Sequence, residues 1–184
     1  IINQGQTWDC SFQLPGIPGT NKAKLEVSNI PPIDFGRRLT WLIQYPHGCV
    51  EQITSGAFPQ LYLGDIMEMN ERTKKLTEEN IKTAIRKLNS FVLPNGGLAY
   101  WPNEQNENDW GSSYAGHFLI EAEKKGFSLP VNFKKNWLNY QKKTARNWKN
   151  SSDKFQQNDL LQAYRLYTLA LANSPDLGSM NKLR

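Results

Sequence analysis

Apolar residues change their spacing once along this chain, near Pro31-Pro32, and the change separates two kinds of structure. Before it, Lys24-Leu25-Glu26-Val27-Ser28 alternates with the period of a half-buried strand. Gly5, Pro15, Gly16, Pro18 and Gly19 punctuate the same stretch, so residues 1–31 read as a short β appendage or linker. After it the spacing is helical. Phe35, Leu39, Leu42 and Ile43 share one face of a first helix, which Pro46 and Gly48 stop. A second helix opens at about Cys49 and runs toward Asn70, with Pro59 as a kink or break. A third begins near Thr77 as N-cap, stacks Ile81, Ala84, Ile85, Leu88 and Val92, keeps Lys82, Arg86 and Lys87 outside, and ends at Pro94-Asn95-Gly96-Gly97.

A fourth helix, about Ser112 to Lys125, stacks Ala115, Phe118, Leu119 and Ala122, with Gly126 in the C-terminal cap position. The fifth follows Pro130 and sets Phe133, Trp137, Tyr140 and Trp148 among lysines, leaving one face wet. The sixth, Leu160 to Ala172, has few polar positions and is expected to be enclosed on most sides. Wet and enclosed helices thus alternate, as helical hairpins in an outer and an inner layer would. A seventh apolar pattern starts at Leu177 and Met180 and stops at Arg184, which reads as a truncated pair.

The chain has 184 residues, enough for one domain with an appendage and a sizeable core. It opens Ile1-Ile2-Asn3, with neither Met nor a basic-then-apolar leader, and so reads as a piece of a longer precursor. No stretch approaches the roughly 20 apolar residues of a membrane span, so no membrane contact is expected of this segment. The net charge of +5 is spread over helical faces and interleaved with acids, which makes solvated surface a better account than a nucleic-acid partner. Two cysteines, Cys10 and Cys49, are too few for a zinc site or a disulfide scaffold, and no metal or cofactor is expected.

The chemistry concentrates in Tyr45-Pro46-His47-Gly48-Cys49-Val50-Glu51-Gln52-Ile53-Thr54-Ser55. On one turn of backbone, the Cys49 sulfur can attack the side-chain amide carbon of Gln52, expel ammonia and leave an internal thioester, an activated acyl group. Cys49 stands at a predicted helix start, where N–H groups favour a thiolate. Gly48 supplies a bend closed to residues with a β-carbon. His47 is a candidate base for the thiol, or a turn residue; Glu51 orients the amide, or caps the helix. Taken alone, Cys-x-x-Gln more often marks a small buried cysteine beside a surface amide. A thioester also needs a dry wall against hydrolysis, for which Tyr45, Tyr62, Tyr100, Trp101, Trp110 and Tyr114 are candidates, ordinary packing being the other account of each.

The run Tyr-Pro-x-Gly-Cys-x-Glu-Gln followed by Thr54, Ser55 and Pro59 resembles the thioester segment of the alpha-2-macroglobulin family, its bacterial branch in particular. Asn95-Gly96-Gly97-Leu98-Ala99-Tyr100-Trp101-Pro102 with Asp109-Trp110-Gly111-Ser112-Ser113-Tyr114-Ala115 resembles the family's Gly-Gly loop and the helix start after it. Gln162 to Ala170 and Leu177 to Arg184 are similar to two further family segments, so four ordered matches cover about Asp34 to Arg184.

The resemblance implies a mainly α fold, part of an alpha/alpha toroid of helical hairpins, with residues 32–184 as its first part. It implies a thioester between Cys49 and Gln52 that a neighbouring domain helps protect; Gly48, Glu51, His47 and Tyr45 are the candidate supporting residues, and Tyr100, Trp101 and Trp110 the candidate shields. The implied function is not enzymatic, with no catalytic residues: a broad-spectrum proteinase inhibitor in which the thioester acylates lysine amines of the attacker. Its partners would be target proteinases and other domains of the parent protein, in the periplasm or outside the cell, anchored to a membrane by a part not present here. Relatives that prefer hydroxyls use a downstream histidine, and the 147–159 stretch holds none, which implies direct aminolysis; His117 reads as an ordinary helix residue. Two other readings share the sequence: a thioester used for surface attachment, and an alpha/alpha-toroid enzyme acting on glycans or isoprenoids through Glu104, Glu107 and Asp109.

Overall fold

A computed structural model describes residues 3–11, 13, 16, 17, 19–21, 39–149 and 157–183. The chain divides into two compact units, Ile1–Ile33 and Asp34–Arg184. In the first unit the described residues include two turns, closed by Gln6 N–H to Asn3 O at 3.0 Å and Thr20 N–H to Ile17 O at 3.2 Å. The strand expected over Lys24 to Ser28, and most of the first helix, lie outside the described residues.

The second unit is helical: α1 (Val50–Ala57), a 3₁₀ turn (Phe58–Leu61), α2 (Leu63–Ile66), α3 (Glu71–Asn89), α4 (Asp109–Lys124), α5 (Phe133–Asn147), α6 (Gln157–Leu171) and α7 (Leu177–Leu183). α1 and α6 flank α4, while α3 packs on α1 and α4, α5 on α4 and α6, and α7 on α6. Successive long helices therefore alternate between two layers.

Three expectations are corrected. The second helix does not run to Asn70. Pro59 falls in the 3₁₀ turn, and the buried Gln60 amide fixes the break by donating to Gly56 O at 2.7 Å and Gln44 O at 2.8 Å while accepting from Asn80 Nδ2 at 3.0 Å. The third helix starts at Glu71 with Asn70 as its cap, the Asn70 carbonyl accepting Thr73 N–H at 2.9 Å. Its first two turns stand clear of the core and are polar, so apolar spacing does not mark them; Thr77 is a buried interior residue. The same helix ends at Asn89, and Val92 pairs with Leu98 in an isolated bridge.

α6 is the third correction, for it is not enclosed on most sides. Leu160, Ala163 and Tyr167 are exposed, and the buried face carries Gln162, Arg165 and Thr168 beside Leu166 and Leu169. These polar groups are buried with partners from α5 and from each other: Arg165 donates to Gln141 at 3.1 Å and Gln162 at 2.8 Å, Gln162 donates to Ala145 O at 2.9 Å, and Thr168 donates to Arg165 O at 2.9 Å.

α4 ends as expected, with Gly126 at φ +91° just after its cap. Its contact with α5 is close because Gly116 has no side chain. A β-carbon there would lie 2.2 Å from the fully buried Trp137 indole, whose N–H donates to Ser112 O at 2.8 Å.

Candidate functional site

Cys49 is the N-cap of α1, with extended backbone, and its side chain is buried. Gln52 is the third residue of the helix, and its side chain folds back so that Oε1 accepts the Cys49 N–H at 3.0 Å. The arrangement is a capping box, with the Cys49 sulfur facing the Gln52 backbone N–H. Gly48 makes room for it. Its φ is +100°, and a β-carbon built on it would stand 2.0 Å from Gln52 Oε1 and 2.9 Å from the amide carbon. The amide of Gln52 thus lies over the backbone of Gly48 and Cys49, and a backbone N–H polarises its carbonyl.

A second element meets this helix end. Tyr100, in the loop between α3 and α4, accepts the Val50 N–H on its carbonyl at 3.1 Å, which satisfies a free donor of the first helical turn. Its hydroxyl donates to Glu51 Oε2 at 2.9 Å. The nearby Cys49 thiol first and Glu51 second raise the Tyr100 phenol above its usual range, so it stays protonated at neutral pH. Trp101, partly exposed, packs edge-on against Tyr100 at 6.0 Å between ring centres.

On its outer side Gln52 lines a cleft of 330 Å³ with Leu42, Tyr45, His47, Ser55 and Pro59. His47 is exposed in that lining. The strap from Gln44 to His47 is pinned from behind. Lys87 of α3 donates to Pro46 O at 2.9 Å and sets its ammonium 4.4 Å from the centre of the Tyr45 ring, which is itself exposed.

Trp110 stands in the first turn of α4, stacked on Tyr114 at 5.7 Å and tilted against Tyr164 at 5.1 Å. The Tyr114 hydroxyl is 3.1 Å from Ser55 Oγ, which joins this aromatic group to α1. His117 belongs to the same group, its ring 4.9 Å from Phe58 and its Nδ1 3.0 Å from the Tyr164 hydroxyl, and burial lowers its pKa.

The acids of the α3–α4 loop are engaged separately. Glu104 accepts the Trp101 N–H at 3.1 Å, Glu107 lies 3.4 Å from Asn95 Nδ2, and Asp109 accepts from Tyr140 at 3.0 Å. Asp109 also faces Arg165 Nη2 at 2.9 Å, as an ion pair rather than an aligned hydrogen bond. Among the described residues no group of three His, Cys, Asp or Glu side chains could hold a metal, and no helix is long and apolar enough to cross a membrane. Neither Cys10, which is exposed, nor Cys49, which is buried, takes part in a disulfide.

Sequence spacing brought together Gly48, Cys49, Glu51 and Gln52. It did not reveal Lys87 behind the strap or the Ser55–Tyr114 contact, because nothing local links residues 41 or 59 positions apart.

No protein-family model matches the chain. The alpha-2-macroglobulin of Escherichia coli strain K12 is 30% identical over 138 residues, which is 71% of this chain and 8% of that protein. The alpha-2-macroglobulin of Xylella fastidiosa strain Temecula1 is 27% identical over 178 residues, 91% of this chain and 11% of that protein. Among solved structures, Salmonella alpha-2-macroglobulin reacted with methylamine matches with a TM-score of 0.68 at 27% identity, covering 84% of this chain and 11% of that one. The chain spans about a tenth of the length of the relatives it matches.

Proposed function

We propose that this chain, homologous over most of its length to a segment of the bacterial alpha-2-macroglobulins, is the acylating element of a proteinase inhibitor, with Cys49 and Gln52 closing an internal thioester. One observation carries the reading: the Gln52 carbonyl accepts the Cys49 N–H at 3.0 Å, over a glycine whose β-carbon would collide with it.

In that geometry the sulfur attacks the Gln52 amide carbon. The Cys49 N–H stabilises the negative charge that grows on Oε1, as an oxyanion donor does. The S–C bond forms, the C–N bond breaks, and the amide nitrogen leaves as ammonia carrying the thiol proton. An incoming primary amine reverses the sense of the reaction: its nitrogen bonds the Gln52 carbon and the sulfur leaves as a thiol. The cleft beside Gln52, lined by Leu42, Tyr45 and Pro59, suits an alkyl amine such as a lysine side chain.

The attacking proteinase is the target, tethered through one of its lysines outside the cytoplasm. With no histidine in the 147–159 stretch, the acyl group passes directly to the amine, and methylamine reacts faster than glycerol. The test is to mix the full-length protein with a serine proteinase and look for adducts that survive denaturation. They form with the native protein and vanish in C49S; adducts formed equally by C49S contradict the proposal.

A further inference from the structure

The two polar atoms of the Gln52 amide are treated differently. Oε1 accepts the Cys49 N–H at 3.0 Å, while the nitrogen meets no hydrogen-bond partner among the described residues. Gln52 lines the 330 Å³ cleft, so with the oxygen engaged the nitrogen is the polar atom left to it. Two further polar groups line the same cleft. Ser55 follows Gln52 by three positions on α1, a spacing that sets two side chains on one helix face about 5–6 Å apart, and its hydroxyl is 3.1 Å from that of Tyr114. His47 comes from the strap. It precedes Gly48, whose β-carbon position lies 2.9 Å from the Gln52 amide carbon, and consecutive Cα atoms stand about 3.8 Å apart. Its imidazole is exposed in the cleft lining, whereas Cys49 is buried, so the imidazole serves the nitrogen side of the amide rather than the thiol.

We propose that His47 is the general acid–base residue for the nitrogen at the Gln52 carbon, and that Ser55 positions that nitrogen as a second hydrogen-bond acceptor. The inference rests on the thioester reading and names the groups that select a primary amine. A neutral primary amine has one lone pair and two N–H bonds; the cleft offers it an acyl carbon, an imidazole and a hydroxyl. When Ser55 donates to Tyr114, both lone pairs of its Oγ are free for an N–H. In aminolysis the amine nitrogen bonds the Gln52 carbon and gives one proton to His47. The C–S bond breaks, the thiolate takes a proton from solvent, and the imidazolium releases one to it. Formation of the thioester is the same step with ammonia, run backward. The imidazolium protonates the departing nitrogen, the thiol proton passes to solvent, and His47 recovers a proton there, so ammonia leaves neutral. An alcohol brings a single O–H and leaves Ser55 unmatched.

The experiment follows the full-length protein by intact mass, reading loss of ammonia on refolding and then uptake of methylamine, with circular dichroism as the fold control. General acid–base groups contribute roughly 10²–10⁴-fold, so H47A is expected to slow both steps at least ~100-fold. H47Q keeps a polar side chain in the strap and is expected to be as slow, which covers the case in which H47A folds poorly. Added imidazole enters at the exposed position and raises the H47A rates in proportion to its concentration, an effect that a lost packing contact does not give. S55A is expected to slow methylamine by about 2–10-fold, the worth of one hydrogen bond, and to leave dimethylamine unchanged, because a secondary amine has no second N–H to offer.

Native rates in folded H47A or H47Q, or an H47A rate that imidazole does not raise, overturn the role of His47. Equal slowing of both amines by S55A overturns the role of Ser55. The two levels of the proposal separate by mass. A native protein that never loses ammonia removes the thioester reading and this inference with it, whereas a native protein one ammonia light, matched in rate by H47A, removes the inference alone.

Discussion

The side-chain carbonyl of Gln52 receives the backbone N–H of Cys49 at 3.0 Å, so the partners of the proposed ring are already joined by a hydrogen bond. That contact holds the amide carbon close to the residue bearing the sulfur and orders the Gln52 side chain before any bond forms. Much of the entropy of closing the ring is therefore lost on folding rather than in the reaction.

Gly48→Ala tests the seat of that amide. The new β-carbon meets Gln52 Oε1 at 2.0 Å, and the residue must hold φ at +100°, where side chains are strained. Such strain costs about 1–3 kcal/mol, so G48A is expected to lower stability in urea unfolding by that amount and to abolish loss of ammonia. A G48A protein that loses ammonia as the native one does contradicts the role given to the glycine.

Lys87→Met tests the strap. Removing the ammonium frees Pro46 O and the Tyr45 ring, two contacts worth together about 1–2 kcal/mol at a partly exposed site. Methylamine incorporation in K87M should rise by about 5–30-fold, the ratio that energy corresponds to. An unchanged rate shows that the strap does not limit access.

Gly116→Ala tests the packing of α4 on α5. Alanine is the better helix former, yet its β-carbon falls 2.2 Å from the Trp137 indole, which is fully buried and bonded to Ser112 O. Overpacking of this kind costs about 1–3 kcal/mol, so G116A is expected to be destabilised in thermal or urea unfolding. A more stable G116A would show that the helices separate freely.

Acid sensitivity should involve Asp176, the residue that caps α7. Its carboxylate accepts the Ser179 N–H at 3.1 Å and pairs with Arg146 at 2.8 Å, and these contacts, Ser179 first, hold its pKa below the usual carboxylate value. An unfolded aspartate titrates near ~3.9, so the stabilisation is fully present above that value and is lost as pH falls through the lower folded value. D176N should be less stable than the native protein at pH 6, and the gap should narrow in acid. A gap that stays constant from pH 6 to pH 2 contradicts this.

Local rules carried the reading of this chain a long way. The bend at Gly48, the cap at Gly126 and the buried stripe Ile81, Ala84, Ile85 and Leu88 depend on residues within a few positions of one another, and such relations are visible in sequence. Where satisfaction came from a distant partner, periodicity misled. The apolar spacing of the sixth helix predicts an enclosed helix with few polar positions, but Arg165 and Gln162 face the core because Gln141 Oε1 and Ala145 O accept their hydrogen bonds. Tyr100 reads as a shield because sequence shows a ring and not the direction of its hydroxyl; only the fold sets that hydroxyl on Glu51 and the Tyr100 carbonyl on the Val50 N–H.

The central claim is the bond between Cys49 and Gln52, and intact mass spectrometry before and after methylamine tests it most directly. The thioester predicts a protein one ammonia lighter than its sequence, which gains one methylamine on Gln52 and exposes the Cys49 thiol, with C49S and Q52A at full mass throughout. A native protein at full mass, with a free Cys49 thiol and no methylamine uptake, contradicts it.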